Sequence, residues 1–371
     1  MAEVTKFLEK DALGIDIFAL RRKSSGDTSE QSIAPLNRSQ FTVKPGDSLT
    51  ADVVITNKNI GHSFPPELRD FYEAYVEFTV KDQSGKAIYQ SGFIKPDGFL
   101  DDKAHNYKTY LVKADGTYND KHEIWQTRVI ASNNQIPSGR SDMARYAFAV
   151  PQDAQGPLSL IARMRYRRFT RIFSNYVLGH SVDMPIVTMA TTDYKLNIGE
   201  NQPIAPVPGK GMPDWRRWNN YGIALLDLRQ FALAADAFAH AGEMDEAYRP
   251  TAKVNRAMAL IELDRYDDAF EILDAVVKEN PDNWRALFQR TRILIRRSKL
   301  AEAETDLMRI TEVFPRDRVS LQQLGELSKI KRDYKTARGI YERILQIDPE
   351  DNGSYYNLML IYQKLGLRGR S

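Results

Sequence analysis

A chain of 371 residues, 42% hydrophobic and 27% charged, has the composition of a soluble globular protein and the length for two domains, each with its own core. Its 52 basic and 49 acidic residues leave a formal charge of only +3, which gives no electrostatic ground for nucleic acid or an anionic membrane as a general partner, although a narrow basic patch is compatible with that balance. The absence of cysteine excludes disulfides, zinc-thiolate sites, thiol nucleophiles and covalent haem attachment through Cys-x-x-Cys-His.

The opening residues lack the basic, apolar, small-residue order of a signal peptide, and no apolar run is long enough to span a membrane. The expectation is a cytosolic protein, a mature chain or an excised piece. "IDIFALRR" near the start reads as a strand. Period-two alternation then follows in Ser48 to Asn57, Glu73 to Asp82, Glu123 to Ala131, Ala144 to Val150 and Leu158 to Tyr166, and "MPIVTMATTD" reads as a last strand. Turn chemistry in "KPGD", "DQSG", "ADG", "IPSG" and "VPQDAQGP" separates these runs. Short, regularly punctuated strands predict an antiparallel immunoglobulin-like β-sandwich over 1–193. Residues 194–213, rich in proline and glycine, predict a stiff linker.

From Trp215 the apolar period becomes helical and the pattern repeats. Pro281, Pro315 and Pro349 are 34 residues apart, and Ala269, Ala303 and Ala337 stand twelve residues before them; Ala234 lies one repeat earlier with a one-residue insertion. A small residue at a helix crossing and a proline at the turn are what stacked helical pairs require. Residues 214–371 resemble the tetratricopeptide repeat family, carried by "NNYGIALLDLRQFALAADAFAHA", "NRAMALIELDRYDDAFEILDAVVKENP" and "QQLGELSKIKRDYKTARGIYERILQIDP". The resemblance implies four repeats of an α-solenoid and a partial fifth, which reads as a truncated or unusual end. Thr291 departs from the family's preference for a smaller residue.

The family's first helices line a concave groove. By phase that places Asn219, Ile223 and Leu226, then Val254, Met258 and Ile261, then Arg285, Phe288, Arg292, Ile295 and Arg296, then Gln322, Glu326 and Lys329 in it. Arg285, Arg292 and Arg296 share a helical face beside Phe288 and suit an acidic or C-terminal carboxylate segment of a protein partner. The plainer reading is a solvated basic face paired internally with Glu302 or Glu304. The lysine and asparagine pattern of chaperone-binding members is not matched.

His62, His105, His122 and His180 have no His-x-His or His-Glu-x-x-His spacing. A metal site assembled in space from His62, His105 and His122 is the alternative to local hydrogen bonding, and with it a metal-binding or metal-dependent enzyme is the alternative function. No Gly-x-Ser-x-Gly elbow, phosphate loop or dinucleotide fingerprint is present, so a non-catalytic protein is expected. The dense basic stretch "RMRYRRFTR", Arg163 to Arg171, reads as a partner surface or as edge-strand side chains that deter aggregation.

"VVITNKNIGHSFP" and the segments following it to "LSLIARMRYRRF" resemble the β-rich region after the haem-bearing part of multihaem c-type cytochromes related to the cytochrome c554 group, some of which also carry tetratricopeptide repeats. That resemblance implies an extracytoplasmic or periplasmic electron-transfer setting, no haem attached to this chain, haem in a missing or partner cytochrome domain, and His62 as a possible axial ligand to it. The resulting expectation is an interaction and scaffolding module with a protein partner in the repeat groove, no nucleic acid and no membrane span.

Overall fold

The computed structural model describes residues 2–24, 26, 28–38, 41–66, 70–199 and 212–366. The chain divides into two compact units, Met1–Gln230 and Phe231–Ser371.

The first unit opens with helix α1 (Ala2–Glu9) and then forms antiparallel sheets. β1 (Leu13–Lys23), β2 (Gln31–Ile33) and β3 (Ser48–Asn57) join β9 (Ser141–Ala149) in the order β2-β1-β3-β9. β4 (Glu73–Lys81), β5 (Ala87–Ser91), β10 (Leu158–Arg167) and β11 (Ile186–Leu196) form a second sheet, β11-β10-β4-β5, with β6 (His105–Tyr107) also paired to β4. Inward side chains of both sheets, among them Ile17, Val53, Ile55, Val76, Phe78, Tyr146, Leu160 and Met164, share one core. β7 (Thr109–Lys113) and β8 (Thr127–Asn133) form a separate two-stranded sheet, and the short helix α2 (Arg171–Leu178) follows β10. The alternation predicted over Glu123 to Ala131 is not core-facing: a 3₁₀ turn occupies Ile124–Gln126, and β8 is exposed over nearly its whole length. Period-two patterning marks a pleat that buries one face, and here neither face is covered.

β3 is buried on both faces from Ala51 to Asn57. One side packs into the shared core, and the other lies under helix α3 (Asp214–Asp227), which belongs to the first unit although its repeat phase is that of a first repeat helix. The Trp218 ring meets Phe18 edge to face at 4.9 Å, and Tyr221 lies 4.6 Å from the same ring. Arg217 grips Asp16 through Nε at 2.7 Å and Nη2 at 3.1 Å. Asp52, fully buried, accepts from Arg145 Nε at 3.0 Å, Arg21 Nη2 at 3.2 Å and Tyr221 Oη at 2.9 Å. The expected linker falls largely on 200–211, outside the described residues, while residues 194–196 continue β11.

The second unit is a run of helices: α4 (Phe231–Met244), α5 (Arg249–Glu262), α6 (Tyr266–Glu279), α7 (Trp284–Arg296), α8 (Leu300–Val313), α9 (Arg318–Ile330), α10 (Tyr334–Ile347) and α11 (Asn352–Lys364). Ala234, Ala269, Ala303 and Ala337 are completely buried, as a close helix crossing demands. Thr291 fits the position usually held by a smaller residue because its hydroxyl donates to the Leu287 carbonyl at 2.9 Å, so no polar group is stranded. Each of Pro281, Pro315 and Pro349 sits just past the end of a helix, and the residue two places on caps the next one: Asn283, Asp317 and Asp351 accept from the backbone N–H of Ala286, Ser320 and Ser354. The turns inside the pairs bend through left-handed residues at the same 34-residue interval, Asp264, Ser298 and Arg332.

Arg290 ties three helices together. Its Nε and Nη2 donate to both oxygens of Asp306 on α8 at 2.9 and 2.7 Å, and its Nη1 donates to Asp274 on α6 at 2.8 Å. Asp306 is 4% exposed.

Candidate partner-binding site

Helix α7 begins at the Asn283 cap, so its phase places Arg285, Phe288, Arg292, Ile295 and Arg296 on one outward face. The three arginines are exposed, and Phe288 and Ile295 are half-buried between them. Arg285 lies 5.2 Å from the Trp284 ring centre and Arg296 lies 4.4 Å from that of Tyr266, so both guanidinium planes are held over aromatic faces. Arg292 donates to Gln289 at 2.9 Å and to Glu262 at 3.2 Å. Neither Glu302 nor Glu304 pairs with these arginines: Glu302 meets Lys299 and Glu304 meets Lys331. Among the described residues Arg285 and Arg296 have no carboxylate partner, which leaves their charge available at the surface.

Of the other residues the repeat phase places in a groove, Val254 and Ile261 are buried and belong to the helix packing. Glu326, Lys329, Asn357 and the Tyr341 hydroxyl form a closed polar set across α9, α10 and α11. Asn219, Ile223 and Leu226 lie on α3 in the first unit and are half-buried there. The exposed apolar side chains Val319, Ile330 and Tyr356 on α9 and α11 were not singled out by the sequence reading; phase relative to Gly325 and Leu358 would have found them.

The histidines are engaged one by one. His62 is exposed, with Nδ1 2.9 Å from the Ser63 carbonyl. His105 Nε2 is 3.0 Å from Asp142, and His122 Nδ1 is 2.7 Å from Asp70, its ring edge against Phe71. The structure does not gather His62, His105 and His122 into one site, and among the described residues no group of three His, Cys, Asp or Glu side chains is placed to hold a metal ion. The loop that carries His62 is organised instead by Asn57, which is fully buried, donates to the His62 and Ile136 carbonyls at 2.8 and 3.1 Å, and accepts from the Ile60 N–H at 3.2 Å.

Burial pushes the Asp142 carboxyl up, but the hydrogen bond and charge of His105 with the Met143 N–H outweigh it and hold the group below the usual carboxylate value. The unfolded chain therefore binds the proton first as pH falls. Stability from this contact is complete above the unfolded value near 3.8 and is lost as pH falls through the lower folded value. Asp142→Asn is expected to cost about 1–2 kcal/mol at pH 7 and to flatten the acid limb of a urea-denaturation series as pH falls below the unfolded carboxylate value near 3.8. An acid limb identical to that of the parent protein would refute the assignment.

Arg163, Arg165 and Arg167 of the basic stretch lie on β10 inside the second sheet, while Arg168 is exposed past its end and Arg171 opens α2. β10 lies between β11 and β4, not at an edge, which corrects the edge-strand reading. Arg163 and Arg165 pair with Glu77, and Arg167 with Glu73, all on β4 opposite. Burial is the largest influence on Glu73 and pushes its carboxyl up in spite of Arg167. A cavity of about 220 Å³ beside it is lined by Lys108, Asn106, Thr170 and Arg171, but Lys108 is taken by Asp120 and Arg171 by Asp183.

Residues 260–324 match the Tetratricopeptide repeat family. A curated relative, ER membrane protein complex subunit 2 of Xenopus tropicalis, is 25% identical over 167 residues, 44% of this chain; the match spans about half the length of that relative, 55%. Among solved structures, MamA (41-end) from Desulfovibrio magneticus RS-1 is 18% identical over 42% of this chain and 89% of that one, with a TM-score of 0.38. A tetratricopeptide repeat protein from Parabacteroides merdae is 21% identical over 42% and 60% at 0.36. YrrB, described as a TPR protein with an unusual peptide-binding site, is 16% identical over 41% and 77% at 0.35. With its 34-residue period of caps, buried alanines and left-handed turns, the C-terminal part of the chain contains a tetratricopeptide-repeat region.

Proposed function

We propose that this chain is a non-catalytic interaction and scaffolding module that captures an acidic segment of a protein partner on the α7 face. The observation that carries the reading is the row Arg285, Arg292 and Arg296, exposed, with Phe288 and Ile295 half-buried between them and two of the three cations without a carboxylate partner among the described residues. Guanidinium groups held over aromatic rings lose little freedom on binding a carboxylate, and the apolar pair between them fits an aliphatic or aromatic side chain of the same segment. The first unit is read as an immunoglobulin-like sandwich, supported by two antiparallel sheets that share a core. Association with a multihaem cytochrome in an extracytoplasmic setting rests on the sequence resemblance of residues 40 to 175 alone.

A panel of acidic peptides, free and amidated at the C-terminus, titrated against the whole chain tests the capture. Binding is expected to weaken with salt, and Arg292→Glu to weaken it about tenfold or more without moving the thermal transition, because the side chain is 43% exposed. If no acidic peptide binds, or if charge reversal at Arg285, Arg292 and Arg296 leaves the affinity unchanged, the proposal fails.

A further inference from the structure

The hairpin β7–β8 and helix α2 carry an apolar surface that the core of the first unit does not use. Trp125 is 73% exposed, and Tyr118, Ile124, Val129 and Ile130 are each more than half exposed; on α2, Tyr176, Val177 and Leu178 are also solvent-facing. The two elements adjoin, since Lys121 Nζ stands 5.0 Å over the Tyr176 ring and the His122 ring lies 6.2 Å from Phe173. Single exposed apolar residues are ordinary, and Val129 and Ile130, consecutive on β8, face opposite sides of the hairpin, but Ile124 and Trp125 in the loop end of the hairpin, which adjoins the exposed apolar residues of α2, mark a surface that is covered in use.

The charges around it select the occupant. Asp120 is taken by Lys108, Glu123 by Lys113, Asp183 by Arg171 and Asp70 by His122, while Asp115 closes its own turn on Thr117. Lys121, Arg128 and Arg168 have no carboxylate partner among the described residues; Lys121 and Arg168 stand only over aromatic rings. A second copy docked on the same face would set these cations against each other. Addition of a strand to β8 is hindered by two irregularities in its register with β7, at Tyr110/Leu111 and Val112/Lys113, which break the regular edge. A layer that is negative at its surface and apolar beneath satisfies both features, and tryptophan and tyrosine beside unpaired lysine and arginine are the chemistry of a bilayer interface.

We propose that the β7–β8 hairpin and α2 form a peripheral docking surface for an anionic lipid bilayer, with Ile124 and Trp125 entering the boundary between headgroups and acyl chains and Lys121, Arg128 and Arg168 lying over the headgroup charges. Co-sedimentation of the whole chain with vesicles of phosphatidylcholine, and of phosphatidylcholine with phosphatidylglycerol at three to one, tests this. The chain is expected to partition onto the anionic vesicles and not the neutral ones, with a blue shift of tryptophan emission. Ile124→Ser with Trp125→Ser is expected to lower partitioning about tenfold or more, and Lys121→Glu with Arg128→Glu several-fold in a salt-dependent way, both with unchanged circular dichroism and thermal transition. Arg292→Glu, in the repeat region, is expected to leave partitioning unchanged. The proposal is overturned if the parent chain does not partition onto the anionic vesicles, as an acidic protein face for occupant would have it. It is equally overturned if Ile124→Ser with Trp125→Ser partitions like the parent, if Arg292→Glu lowers binding as much as the hairpin variants, or if sedimentation velocity shows self-association that the hairpin variant abolishes.

Discussion

Asp52→Ala is expected to destabilise the first unit by about 3–5 kcal/mol, the cost of breaking a buried charge cluster by removing one partner. The carboxylate is completely enclosed and is the shared acceptor for Arg145, Arg21 and the Tyr221 hydroxyl. Without it Arg21 and Arg145, on β1 and β9 either side of β3, lose their shared carboxylate and, among the described residues, keep only Glu30 and Gln230 as partners, and the buried Tyr221 phenol loses its acceptor. Tyr221→Phe separates the two contributions: it removes one hydrogen bond and leaves the ring on Phe18, so about 1 kcal/mol is expected. Urea denaturation followed by far-ultraviolet circular dichroism measures both. Equal, small losses for the two variants would mean that the sheet holds α3 by ring packing alone.

Arg290→Met is expected to cost the repeat region about 3 kcal/mol, because Asp306 is left buried with no cation. Asp274 suffers less, since Lys278 remains 2.8 Å away. The guanidinium joins α6, α7 and α8, so its loss weakens the coupling between neighbouring repeats and is expected to broaden the unfolding transition as well as lower it. Arg290→Met combined with Asp306→Leu removes both charges and is expected to recover most of the stability. A double variant no more stable than the single one would show that the arginine acts through its aliphatic packing instead.

The repeat region was legible because its constraints recur. One buried alanine or one proline says little, but the same residue at the same phase in successive units can only be a shared packing requirement, and Ala269, Ala303 and Ala337 are all completely buried. The caps Asn283, Asp317 and Asp351 carried an equally periodic signal that the sequence reading passed over. The basic stretch was misplaced for a different reason. Arginines that look like a surface when counted along β10 are neutralised by Glu73 and Glu77 on β4, some 86 to 94 residues away in the chain.

The sequence by itself determined the two periodicities, the strands β1, β3, β4, β9, β10 and β11, the helical repeat and the exposed face of α7, because each depends on the spacing of side chains along one element. Only the tertiary structure decided that α3 covers the outer face of the β2-β1-β3-β9 sheet, that Asp52 is a buried acceptor, that the histidines meet separate partners, and that Trp125 stands in solvent. Those outcomes depend on which distant elements come together, and a spacing rule within one strand or helix carries no information about what will lie against it.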